Sequence, residues 1–189
     1  GCRSHHMSYD TQLHINSRAS TSQPYGTSQR AILNRVAFAT AQGEITSWPG
    51  YAPTPLIPLP GLAGEAVVAD VWCKHEGSRF GLGSFKPTGP TFAMLAVLKA
   101  EVKARAGVEA STQDLLDGKY AQVTANVVVS APTSGNHGRA LAWGATMFGC
   151  QAVLYMNDGV SAGRAVAIEA HGGQVVRVPG AYEQVVTRL

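Results

Sequence analysis

The sequence predicts an α/β fold, a parallel sheet with helices on both faces. Two observations carry this. Between residues 126 and 178, short β-branched runs alternate with helical segments at the spacing of strand–helix–strand units. The composition, 45% hydrophobic and 14% charged over 189 residues, is that of a globular chain able to bury a core. By length one or two domains are possible, no internal repeat is apparent, and right-handed crossovers are expected.

Taken in order, the opening Gly1-Cys2-Arg3-Ser4-His5-His6-Met7 looks like an expression remnant, with Met7 as the expected native start, so His5 and His6 are not counted as metal ligands. Residues 8–50 form an N-terminal arm; its first part, Ser8–Gln29, is rich in Ser, Thr and Gln and reads as extended or poorly ordered. Four prolines between Tyr51 and Pro60 favour an extended segment. Residues 66–74 read as a strand, and 75–89 as a glycine-rich irregular stretch. A helix should begin near Pro90, which suits a first helical position. Phe92, Leu95, Ala96 and Lys99 recur at helical spacing, with Leu98 and Val102 flanking that face. A short helical piece falls around Asp114–Asp117 in a polar connection. Asn126–Ala131 is β-branched and suits a buried parallel strand. A polar loop at 132–138 leads into a helix, Arg139–Phe148, that Gly149 ends. Then come a strand at Gln151–Met156, a helix at Ser161–His171, a strand at Gln174–Val178 and a last helix from about Ala181.

Composition excludes several function classes. The net charge is +3 with no basic cluster or stripe, which leaves nucleic-acid binding unsupported. No apolar run is long enough to cross a bilayer. Cys2, Cys73 and Cys150 are too few and scattered for a disulfide framework or a zinc site, and a reducing cytoplasm fits them best. The glycine-rich stretch fails two nucleotide patterns. Gly81 and Gly83 begin a dinucleotide fingerprint, but Lys86 stands at its third glycine, and Phe85 precedes that lysine where a P-loop needs glycine. No His-Glu-x-x-His or paired Cys-x-x-Cys supports a zinc hydrolase.

Two segments carry chemistry. The first runs Lys74-His75-Glu76-Gly77-Ser78-Arg79-Phe80-Gly81-Leu82-Gly83-Ser84-Phe85-Lys86-Pro87-Thr88-Gly89, and the second Thr133-Ser134-Gly135-Asn136-His137-Gly138-Arg139-Ala140. Lys86 lies just before a helix N-terminus, where the positive end of the helix dipole disfavours an ammonium. An unprotonated amine is what imine formation with an aldehyde requires. The other reading of Lys86 is an ordinary surface lysine. The loop Ser134–Gly138 ends at a helix start, whose backbone N–H groups form a natural anion site. Asn136 alone reads equally as a helix cap, and His137 as an anchor of the loop.

Together the two segments resemble the tryptophan synthase β-like (fold-type II) enzymes that use pyridoxal 5′-phosphate (PLP), which share Ser-Phe-Lys with a nearby Gly and a later Ser-Gly-Asn-His. Arg79-Phe80-Gly81-Leu82, the run Gly135–Trp143 and the long connection from Lys86 to Asn136 resemble diaminopropionate ammonia-lyase in particular. The likeness runs from about Tyr51 to Leu189. The resemblance implies that Lys86 is the catalytic, cofactor-bearing lysine that also moves the substrate's α-proton. It implies that Asn136 holds the cofactor's ring oxygen, that Ser84 faces the cofactor, and that Thr133, Ser134, Gly135, Asn136 and His137 cradle the substrate carboxylate. The implied activity is elimination of ammonia from 2,3-diaminopropionate, giving pyruvate and ammonia, by a homodimer with no metal. A serine or threonine dehydratase, and a non-catalytic fragment or pseudoenzyme, stay open beside it.

The sequence departs from that family twice. Ser134 stands where these lyases usually carry Asp, implicated in proton abstraction from the D-isomer, and serine is no base at neutral pH without help. Residues 51–189 also correspond to the N-terminal portion of a family chain roughly twice as long. Its other half normally supplies the glycine-rich phosphate loop and the group on the pyridine nitrogen, and neither is expected before Leu189. Glu76 and Arg79 read as a structural ion pair, Trp72 and Trp143 as core residues, and His75 and His171 as surface or structural.

Overall fold

The computed structural model describes residues 15–19 and 22–180. Residues 1–7, and the helix expected from Ala181, lie outside them. The chain forms two compact units, one ending at Phe38 and the other beginning at Ala39. In the first, helix α1 (Thr27–Ile32) is tied at both ends. The Tyr25 hydroxyl reaches the carbonyls of Gln29 and Leu33, and the Gln29 side chain accepts from the Gly26 N–H. Helix α2 (Arg35–Ser47) spans the boundary between the units. Its alanines at 37, 39 and 41 and its freedom from proline favour that state.

In the second unit, β1 (Leu56–Pro58) pairs antiparallel with β2 (Trp72–Lys74), Ile57 opposite Cys73. Between them lies α3 (Pro60–Ala66). The strand expected over 66–74 is therefore confined to 72–74. The proline that closes the extended segment starts a helix, because its fixed φ suits the first turn. Trp72, expected in the core, is 54% exposed on this small sheet.

Helix α4 (Gly89–Ala106) starts at the expected place and ends at Gly107, whose φ of 71° closes it in the left-handed conformation. Its buried stripe is Thr91, Met94, Leu95, Leu98 and Val102. That face is rotated from the expected one, and Phe92 and Lys99 sit at its margin while Ala96 is exposed. Short helices α5 (Thr112–Leu116) and α6 (Ala121–Thr124) fill the connection. Ser111 and Asp114 form a reciprocal capping box on α5.

The main sheet is β3 (Val128–Pro132), β4 (Gln151–Asn157) and β5 (Gln174–Val178), parallel and in that spatial order. Helix α7 (Asn136–Phe148) joins β3 to β4, and α8 (Ala162–Glu169) joins β4 to β5. The α/β class, a parallel sheet with flanking helices, is what the structure shows. Ala152, Leu154 and Met156 alternate along β4 into the core, joined there by Leu98 and Val102 of α4, Leu141, Ala145 and Phe148 of α7, and Ile168 of α8. The strand expected to be buried at 126–131 is instead an edge strand, with Val128 54% exposed. Helices α4 and α7 approach closely at Gly144, where a Cβ would meet the Thr91 hydroxyl at 2.7 Å.

Candidate active site

The parallel topology directs the C-terminal end of β3 into a loop that begins α7, the usual place for a ligand in an open α/β sheet. That helix starts at Asn136 rather than at the expected Arg139. The three-residue difference matters chemically, because it makes Asn136, His137 and Gly138 its first turn. Gly135 precedes it with φ 148° and ψ −86°, a conformation open chiefly to glycine.

Thr133 builds this loop. It is 1% exposed, and its hydroxyl accepts from the N–H groups of Gly135 at 3.1 Å and Gly138 at 2.8 Å. Gly138 is needed for that contact, since a Cβ there would meet Thr133 Cγ2 at 2.6 Å and Ile168 Cδ1 at 2.9 Å. The N–H groups of Ser134, Asn136 and His137 find no acceptor among the described residues. Unpaired first-turn N–H groups at the positive end of a helix suit an anion.

The opposite wall comes from the segment before α4. Residues 76–81 form a kinked 3₁₀ stretch in which Phe80 takes a left-handed φ of 48°, a conformation costing of order 1 kcal/mol for a bulky residue. Aromatic packing holds it, with Trp143 at 4.8 Å between ring centroids and Trp48 at 6.1 Å. Trp143 thus packs against the core as expected.

Beside Phe80, Arg79 is 8% exposed and makes a two-pronged pair with Glu76, Nε to Oε2 at 2.8 Å and Nη2 to Oε1 at 2.9 Å. It also donates to the Thr54 hydroxyl and the Ala52 carbonyl and lies over the Tyr51 ring. The hydrogen bond from Arg79, helped by Thr54, holds the Glu76 carboxyl down at about 2 against the opposing effect of burial. This is the expected structural ion pair.

The turn after that stretch presents Lys86, half-buried, with Nζ 4.9 Å from the Phe85 ring centroid. The Ser84 hydroxyl accepts weakly from the Lys86 N–H at 3.4 Å. Ser84 shapes the lysine's turn and does not line the cavity described next.

Lys86, Pro132, Thr133, Ser134, Asn136, His137 and Arg164 line a cavity of about 510 Å³. Of the residues picked out by sequence, Lys86, Thr133, Ser134, Asn136 and His137 meet there. Gly135 shapes the loop from behind. Burial, then the Lys86 charge, lowers the His137 pKa, which favours the neutral imidazole. Arg164, on the first turn of α8, was not anticipated. Its Nη1 donates to the Ser134 carbonyl at 2.8 Å. No group of metal-ligating side chains occurs among the described residues.

An amine, a side-chain amide and a helix N-terminus meet around one polar cavity. Residues 47–189 match the family described as pyridoxal-phosphate dependent enzyme, and the chain belongs to that family. Diaminopropionate ammonia-lyase of Escherichia coli strain K12 is 34% identical over 137 residues, 72% of this chain and 33% of that protein. The Salmonella typhimurium lyase is 34% identical over 130 residues, 67% of this chain and 31% of its own length. Among solved structures, the Escherichia coli lyase in complex with an aminoacrylate-PLP azomethine reaction intermediate superposes with a TM-score of 0.68 at 28% identity, covering 82% of this chain and 37% of the other. The chain thus spans about a third of the length of the curated relatives it matches. The amine of Lys86 and the side-chain amide of Asn136 line the same cavity, chemistry that fits PLP. No helix among the described residues is long and apolar enough to cross a membrane.

Proposed function

We propose that residues 51–189 form the Lys86-bearing portion of a PLP-dependent lyase that eliminates ammonia from 2,3-diaminopropionate, giving pyruvate and ammonia. The observation that carries this is the cavity in which Lys86 faces the Ser134–His137 loop. The lyase relatives support the choice of substrate.

When bound, PLP supplies the electron sink that lets a bond at the substrate α-carbon break. The chain's own groups do the rest. Lys86 Nζ would hold the cofactor, and its amine would take the α-proton. Asn136 would orient the cofactor through its ring oxygen. The N–H groups of Ser134, Asn136 and His137 receive the substrate carboxylate. The Ser134 hydroxyl offers no base for the opposite α-proton, so Lys86 acts from one face and the L-isomer is preferred. A cytoplasmic homodimer is the assembly this reading expects.

Borohydride reduction after incubation with PLP, followed by peptide mapping, tests the lysine. A stable adduct on Lys86 that vanishes in Lys86→Ala is expected, and its absence favours a non-catalytic fragment. Pyruvate release from L- and D-diaminopropionate, L-serine and L-threonine then tests the substrate. Equal rates on the two diaminopropionate enantiomers sink the stereochemical reading, and faster release from serine or threonine favours the dehydratase.

A further inference from the structure

The cavity is lined by two cationic side chains, Lys86 and Arg164, and by no acidic one. On the reading above, Lys86 is committed to the cofactor, which leaves Arg164, an exposed residue, as the other cation of the cavity. Arg164 pairs with no Asp or Glu among the described residues. One donor, Nη1, is spent on the Ser134 carbonyl. Its other donors meet no acceptor among the described residues, although a guanidinium carries five.

The arginine is exposed and has one anchoring hydrogen bond, to the Ser134 carbonyl. Its Cδ lies 3.3 Å from where a Gly135 Cβ would stand, so its stem runs across that glycine. The bond to Ser134 then fixes the guanidinium beside the loop whose N–H groups at 134, 136 and 137 are unpaired. A planar fork next to a row of backbone donors suits an oxyanion, and the α-carboxylate is the anion that the reading above brings to this cavity.

We propose that Arg164 is a specificity-determining residue that binds the substrate's α-carboxylate together with the Ser134–His137 loop. This deepens the proposed function, and its test does not need bound cofactor. Amide resonances of residues 133–138 in the cofactor-free full chain are followed while sodium propionate, and separately inorganic phosphate, is added. Propionate should shift them saturably. Arg164→Met should weaken propionate by about tenfold or more, the usual scale of a charge-assisted hydrogen bond. Arg164→Lys should recover part of that loss.

An unchanged propionate affinity in Arg164→Met overturns the proposal, as does equal weakening in the Lys and Met variants. Phosphate saturating the same resonances in preference to propionate also overturns it and assigns Arg164 to a phosphate group instead. Thermal melts of each variant separate lost binding from lost fold. Failure of the proposed function shows independently, as the missing Lys86 adduct.

Discussion

Behind the cavity stand two segments built on opposite principles, a closed wall of which only Lys86 reaches the lining, and an open one. The wall before α4 is closed: Arg79, Glu76 and Thr54 satisfy one another under cover, and Phe80 is pinned by tryptophans. The wall before α7 is open: Thr133 ties two N–H groups from behind, and the groups at 134, 136 and 137 point to no protein partner. Buried charge is costly unless fully paired, and unpaired backbone N–H groups are costly unless something comes to meet them. The first segment carries Lys86 to the cavity, and the second leaves hydrogen-bonding capacity that the described residues do not use.

Breaking the closed wall should do the most damage. Glu76→Gln leaves the buried Arg79 with only part of its partner and should cost about 3 kcal/mol in urea unfolding. The same variant sharpens the comparison through pH. The Glu76 pKa is lowered from an ordinary 4.5 to about 2 in the folded chain. Its contribution is therefore fully present above the ordinary value and is lost as pH falls toward the folded one. Glu76→Gln should flatten that acid limb, and an unchanged limb would show that the pair does not set it.

On the open wall the effects are smaller and local. Gly138→Ala, forcing a Cβ into Thr133 and Ile168, should cost about 2 kcal/mol and move the amide resonances of 133–138. Thr133→Val removes the acceptor of two buried N–H groups and should cost about 1–2 kcal/mol. A Thr133→Val chain that unfolded at the same midpoint as Glu76→Gln would erase the distinction between the walls.

Much of this was legible in the residues. Lys86 and the run from Thr133 to His137 could be named because each sits in a dense local pattern, and the fold brings them to one cavity. Strands β4 and β5 lie where the sequence places them, at 151–156 and 174–178. Helix α3 was hidden by prolines that argue against helix in the interior of a segment but favour it at the first turn. The true start of α7 was hidden by Gly135, Asn136 and Gly138, residues that by themselves suggest a loop. Asn136 and Gly138 are helical here because Thr133 and tight packing on Ile168 hold the first turn so. Arg164 left no motif. Its only trace is a lone cation in the Ala-Gly-Arg-Ala turn, where small neighbours leave a long side chain room to reach across.

The loop ahead of α8 carries one more consequence. Ser161 makes no side-chain cap there, and Arg177 of β5 takes the carbonyls of Asn157, Val160 and Ser161 instead. Arg177 thus braces the loop that leads into α8, the helix that carries Arg164, so β5 is tied to one edge of a cavity that it does not line.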